Sequence, residues 1–112
     1  MIARLMGLRT ISLASLHRLV QERRGTVVDV NPRERWTEAH VPGALNLDPA
    51  RYGEHDLPAG KDTSLVFYCS GPLCRKAPIA ARRAERLGYR DVRVLSAGIA
   101  GWLAAKLPTE SA

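Results

Sequence analysis

The feature that most constrains this chain is an alternation of short apolar runs with runs of helical period. Thr26-Val27-Val28-Asp29-Val30 and Ser64-Leu65-Val66-Phe67-Tyr68 are β-branched, aromatic and apolar, as strands buried on both faces are. After the second run, Ala77, Ala80, Ala81, Ala84 and Leu87 recur at helical spacing until Gly88 stops them. Buried strands separated by helices need crossover connections, so the strands must run side by side in one direction. The expected class is α/β: one domain with a mainly parallel sheet flanked by helices on both faces.

The remaining elements fit the same rhythm. An extended piece near Arg9–Ile11 leads to Ser12, a suitable cap for a helix over 13–23 that Gly25 would end. Asn31-Pro32-Arg33-Glu34 reads as the next helix start, with Asn31 as cap, Pro32 in the first turn and Glu34 reaching back. Pro42-Gly43 marks a turn before a short strand over 44–47, and residues 48–63 read as a polar loop holding one helical turn. Pro78 must sit in the first turn of its helix, since deeper it would break it. A strand over 92–95 and a helix over 99–107 carrying Trp102 complete the pattern. Residues 1–9 are set apart as an N-terminal extension free to be flexible, and 108–112 as a tail.

A chain of 112 residues, 46% apolar, suits one domain with a modest core. Charged residues interrupt every apolar stretch, so no membrane span and no membrane partner are expected. The start, basic and free of acids up to Glu22, resembles a transit peptide. However, the stripe of Ile11, Leu13, Leu16, Leu19 and Val20 better suits a folded first helix. With two cysteines, too few for a disulfide scaffold, a reducing cytoplasm is the expected setting. Residues 1–74 carry nine basic and eight acidic side chains, and residues 75–112 carry eight and three. A solvated helix face is the usual explanation of such a basic C-terminal third, and it also suits a small anionic substrate or an acidic protein partner. Nucleic acid is not expected, because aromatic residues are few and no binding motif occurs.

Ligands of open parallel sheets bind beyond the carboxyl ends of strands. Cys69-Ser70-Gly71-Pro72-Leu73-Cys74-Arg75 occupies that place, between a buried strand and a helix start. A thiolate at Cys69 would be stabilised there by the helix dipole, by free first-turn amides and by Arg75. The loop amides can also form an anion-binding nest, from which Pro72 alone is missing as a donor. Cationic Arg75 and Lys76 at a helix start oppose the dipole, a cost that anion binding would explain. A buried structural cysteine is the commoner state of this residue type, so the context leaves both readings open.

Three segments resemble the rhodanese homology domain in the family's order. They are Val27–Val30 followed by Trp36–Leu47, Phe67-Tyr68-Cys69 with its loop, and Leu95-Ser96-Ala97-Gly98-Ile99-Ala100-Gly101-Trp102. The resemblance covers residues 10–107 and implies a single rhodanese-like domain. It also implies a thiosulfate sulfurtransferase in which Cys69 takes sulfane sulfur as a persulfide. A thiophilic acceptor such as cyanide, a small thiol or a protein thiol would then remove it. By the same resemblance the loop residues Ser70, Gly71, Leu73, Cys74 and Arg75 bind substrate, through amides and, at Arg75, through a cation for the donor. No cofactor and no metal are implied. His40 and Asp29 would be structural, Trp36 and Trp102 core packing, and Asn31 stands where many relatives have Arg.

The loop departs from the family's Cys-x-x-Gly-x-Arg-Ser pattern. Arg75 lies six positions after Cys69, and Gly71 comes one place early. A Cys-x5-Arg loop resembles those of cell-cycle phosphatases and some arsenate reductases, whose wider cradle suits a tetrahedral oxyanion. Pro72 argues against that activity, and sulfur transfer is the preferred reading. A non-enzymatic sulfur carrier or binding module is the remaining alternative, with Arg82, Arg83, Arg86 and Arg90 as its docking surface. Cys74 either resolves an oxidised or persulfidated Cys69 as a disulfide or fills the base of the loop as a small apolar group. His55 could line the pocket, and His17 is expected on the first helix surface or half-buried.

Overall fold

In the computed structural model, which describes residues 2–112, five strands form one sheet. They are β1 (Arg9–Thr10), β2 (Thr26–Asp29), β3 (Leu45–Asn46), β4 (Ser64–Tyr68) and β5 (Asp91–Val94). The helices are α1 (Ile2–Leu5), α2 (Leu13–Glu22), α3 (Arg33–Glu38), α4 (Lys76–Arg86) and α5 (Gly98–Ala104). Strand order is β1-β5-β4-β2-β3, and every neighbouring pair is parallel. The α/β architecture is therefore the expected one, with β4 at the centre.

Side chains of a strand alternate between the two sheet faces, and this divides the core. Leu65, Phe67 and Cys69 join Val28, Val30, Val92 and Val94 beneath the alanine face of α4. Val66 and Tyr68 join Val27 and Leu95 beneath Leu16, Leu19 and Trp102 of α2 and α5. A slip of one residue in β4 would exchange these sets, and burying each large apolar side chain contributes about 1.5–3 kcal/mol. The register pairs Asp29 with Tyr68, and Phe67 with Val94. It thereby brings Asp29, Cys69 and the segment after β5 to one edge of the sheet.

Local chemistry explains most boundaries. Ser12 Oγ accepts the Ser15 amide at 3.1 Å and caps α2. Ala44 donates back to Val41 (3.0 Å) around Pro42-Gly43, where Gly43 takes φ +79° as the third residue of such a turn must. Three expectations are corrected. Asn31 does not cap α3: Pro32 holds the cap position without a side-chain bond, and the Asn31 backbone amide expected to receive Glu34 donates instead to Asp29 Oδ1 at 2.7 Å. Gly25 does not end α2. Arg23 takes the left-handed conformation there, and a Cβ on Gly25 would stand 3.0 Å from the Ser64 carbonyl oxygen. Finally, the stretch set apart as an extension carries α1 and the start of β1, with Ala3 and Leu8 buried.

Candidate active site

Cys69 follows the last residue of β4 and is 2% exposed. Its sulfur accepts the Ala77 amide, from the first turn of α4, at 3.4 Å. Its backbone is tied from the other side, since the carbonyls of Cys69 and Ser70 accept the amides of Ile99 (2.9 Å) and Ala100 (3.1 Å) in α5. This docking depends on Gly98, whose φ is +65° and whose missing Cβ would lie 2.5 Å from the Gly71 nitrogen. A side chain there would separate α5 from the loop. The segment 95–102, matched above only as a pattern, thus holds the cysteine loop in place.

Within the loop, Cys74 donates its amide to the Gly71 carbonyl at 3.2 Å. That turn folds Cys74 back onto Cys69. The two sulfurs are bonded, with the Cα atoms 6.5 Å apart. Cys74 also packs against the core beneath α4, so it is both the disulfide partner and a filler of the loop's base. Among the described residues the amides of Ser70, Gly71, Leu73 and Arg75 have no acceptor, while Pro72 has no N–H and Cys74 has spent its own. Beneath this closed loop a void of only about 10 Å³ is lined by Cys69, Gly71, Cys74, Ala77 and Ser96, among others. The Ser96 hydroxyl is buried and has no hydrogen-bond partner among the described residues.

Outside the loop lies an open cleft of about 490 Å³ lined by Asn31, Pro32, Arg35, Ser70, Leu73, Cys74 and Lys76. Of the residues expected to bind substrate, Ser70, Leu73 and Cys74 face this cleft and Gly71 faces the void. Arg75 lines neither. It occupies the cap position of α4 with its side chain exposed, because the Gly71–Cys74 turn gives the place beside Cys69 to Cys74. The cations at the cleft are Lys76 and Arg35. Arg35 was not singled out from sequence. Its place on the helix after β2, at the carboxyl edge of the sheet, was the available signal. Ser96 was missed as well, although it directly precedes the Ala97-Gly98 of the last matched segment.

The neighbouring strand end is closed. Asp29 is fully buried, and Tyr68 donates its hydroxyl to Asp29 Oδ2 (2.7 Å) while accepting the Val41 amide (3.0 Å). Asn46 donates its side-chain amide to the carbonyls of Asp29 and Asn31 at 3.0 and 2.9 Å. Burial pushes the Asp29 carboxyl above its ordinary value, against donors from Tyr68 and Asn31 that pull it down. Burial also pushes the Tyr68 phenol well above its ordinary range, with the Asp29 charge adding to the rise, so it stays a donor. His40 is buried, with Nδ1 2.6 Å from the Trp36 carbonyl and its ring stacked on Trp36 at 4.3 Å. These residues build scaffold.

The other candidates disperse. His55 is exposed and lines none of these cavities, while His17 is half-buried, edge-on to Trp102. In the basic helix face Arg82 is engaged by Glu85 and the Met6 carbonyl, Arg83 lies over the Tyr52 ring, and Arg90 pairs with Asp62. Three of the four arginines of that face therefore have partners within the chain. Among the described residues no group of three His, Cys, Asp or Glu could hold a metal, and no helix is long and apolar enough to cross a membrane.

The rhodanese-like domain family matches residues 12–105. An HTH-type transcriptional regulator of Mycobacterium tuberculosis is 36% identical over 89% of this chain, which spans 44% of that protein. A thiosulfate sulfurtransferase of Actinobacillus succinogenes is 31% identical, with 84% of this chain and 83% of that protein covered. An arsenate reductase of Oryza sativa is also 31% identical, covering 86% and 82%. Among solved structures, the rhodanese-like domain of an Anabaena protein superposes with a TM-score of 0.79 at 22% identity, over 92% of this chain and 79% of that one. At that identity the likeness speaks to the fold alone.

Proposed function

The chain belongs to the rhodanese-like domain family, and from that premise we propose that it is a sulfurtransferase working through a persulfide on Cys69. The observation that carries the reading is the Cys69 sulfur at the end of the central strand, accepting an amide from the first turn of α4 at 3.4 Å. That amide and the helix dipole favour the thiolate over the thiol. Catalysis starts from the reduced cysteine pair. The Cys69 thiolate attacks the sulfane sulfur of thiosulfate, the sulfur–sulfur bond breaks, and its electron pair leaves on sulfite. A thiophilic acceptor (cyanide, a small thiol or a protein thiol) then takes the outer sulfur and returns the thiolate.

Lys76 and Arg35 at the cleft attract the dianionic donor, and the free amides of Ser70, Gly71, Leu73 and Arg75 hold the anionic outer sulfur once the loop opens. The thiosulfate sulfurtransferase relative supports this donor class. A cytoplasmic setting, whose thiols keep the pair reduced, completes the reading.

The decisive measurement is stoichiometric sulfite release when pre-reduced protein, freed of reductant, meets thiosulfate. About one sulfite per chain is expected from the wild type and none from Cys69→Ser. No sulfite from the wild type would overturn the reading. A second reading, arsenate reduction or phosphate-ester hydrolysis, is favoured by the Cys69-x5-Arg75 spacing and the arsenate reductase relative. Turnover of arsenate or an aryl phosphate in the same preparation would carry the function there.

A further inference from the structure

Cys74 has a property that sulfur transfer leaves unused: its sulfur is bonded to Cys69 Sγ. The Gly71–Cys74 turn brings it there while the carbonyls of Cys69 and Ser70 remain tied to α5. The Cα separation of 6.5 Å lies within what a disulfide spans, so the pair closes by a loop movement and the scaffold stays intact. With the loop closed, the void beside Cys69 is about 10 Å³, room for one water-sized sphere at most. A sulfur atom is larger than that. The closed loop and an outer sulfur on Cys69 therefore exclude one another.

We propose that Cys74 attacks the inner sulfur of the Cys69 persulfide and that the protein thereby releases hydrosulfide. The step rests on the persulfide chemistry proposed above. Cys74 reacts as the thiolate, and the proton it gives up passes through solvent to the outer sulfur, which is anionic until then. A bond forms between Cys74 Sγ and Cys69 Sγ while the bond from Cys69 Sγ to the outer sulfur breaks. The electron pair leaves on the outer sulfur, which departs as HS⁻. That sulfur is reduced from sulfane to sulfide, and the two cysteine sulfurs are oxidised to the disulfide. Two equivalents of a small or protein thiol then reduce the disulfide and reset the loop. Over one cycle, thiosulfate and two thiols become sulfite, hydrosulfide, the thiol's own disulfide and a proton.

Holding both sulfurs in one loop makes the attack intramolecular, so Cys74 resolves the persulfide without a thiol from solution. Chemistry at this site thus divides between donation to an acceptor that reaches the persulfide first and reductive release when none does.

A single-turnover experiment without added thiol tests the step. Pre-reduced protein is mixed with thiosulfate, and sulfite, sulfide and intact mass are followed together for the wild type, Cys74→Ser and Cys74→Ala. The wild type should release sulfide in step with sulfite and end about 2 Da lighter, as the disulfide. Both variants should stop about 32 Da heavier, as the persulfide, with sulfide release down at least about tenfold. Sulfide released equally by wild type and variants would overturn the role of Cys74, and so would a wild-type persulfide that simply persists. Absence of sulfite in the wild type would instead overturn the persulfide reading beneath it. Two variants guard against one that folds poorly, and thermal melting identifies such a case.

Discussion

β2 and β4 are hydrogen-bonded neighbours that end at the same edge of the sheet, yet their ends have been built to opposite rules. At the end of β2 every polar group has a partner. The Asp29 carboxylate receives Tyr68 and the Asn31 amide, Tyr68 receives the Val41 amide, and Asn46 closes the carbonyls. At the end of β4, four loop amides and the Ser96 hydroxyl have no partner among the described residues, and two sulfurs are bonded to each other. A satisfied buried network rigidifies its surroundings. An unsatisfied one costs stability and is kept where a ligand or reaction supplies the missing partners. Topology alone makes either strand end a candidate site, and the hydrogen-bond inventory tells the satisfied end from the one proposed to react.

The contrast can be broken at several points. Gly98→Ala should do most harm, because it combines a left-handed backbone with a Cβ pressed on the loop backbone. Urea unfolding under reducing conditions should show a loss of about 2–4 kcal/mol, with slower sulfite release. An unchanged variant would mean that α5 does not hold the loop. Tyr68→Phe strips the scaffold end of a hydroxyl that serves Asp29 and Val41, and should cost about 1–3 kcal/mol. Sulfite release per folded molecule should be unaltered, and a matching loss of activity would erase the distinction between the two ends.

Asp29→Asn sharpens the comparison through pH. Because burial raises the folded carboxyl above its ordinary value, the wild-type side chain contributes most when protonated. Its contribution is full below the ordinary carboxylate value and is lost as pH rises through the raised folded value. The stability advantage of wild type over Asp29→Asn should therefore shrink with rising pH through that window, and a gap that widened would refute the assignment. Arg35→Ala at the reacting end should leave stability within about 0.5 kcal/mol of wild type while raising KM for thiosulfate several-fold. The smallest effect is expected from Ser96→Ala. Its hydroxyl has no partner among the described residues to lose, so stability should stay level or rise by no more than about 0.5 kcal/mol.

Much of this architecture is written locally. Continuous apolar runs at 26–30 and 64–68, the alanine face of 77–87 and the Pro42-Gly43 turn each depend on residues a few positions apart. Such signals survive in a linear reading. The placement of Cys69 at a strand end was legible for the same reason, as was the pairing of Cys74 as one of two alternatives. What went unread is which of several nearby partners each polar group takes. Asn31 has the composition of a cap, but Asp29 claims its amide. Arg75 has the spacing of a substrate ligand, but a turn four residues long gives its place to Cys74 and leaves the cleft to Lys76 and Arg35. Ser96 is an ordinary serine until β5 and α5 close over it. Most strands and helices, and the place of a candidate nucleophile, could be read along the chain, because hydrophobic period and turn chemistry are short-range. Only the tertiary structure decided which polar groups are satisfied and which face the reacting sulfur. Hydrogen bonds over tens of residues form only once the strands are in register.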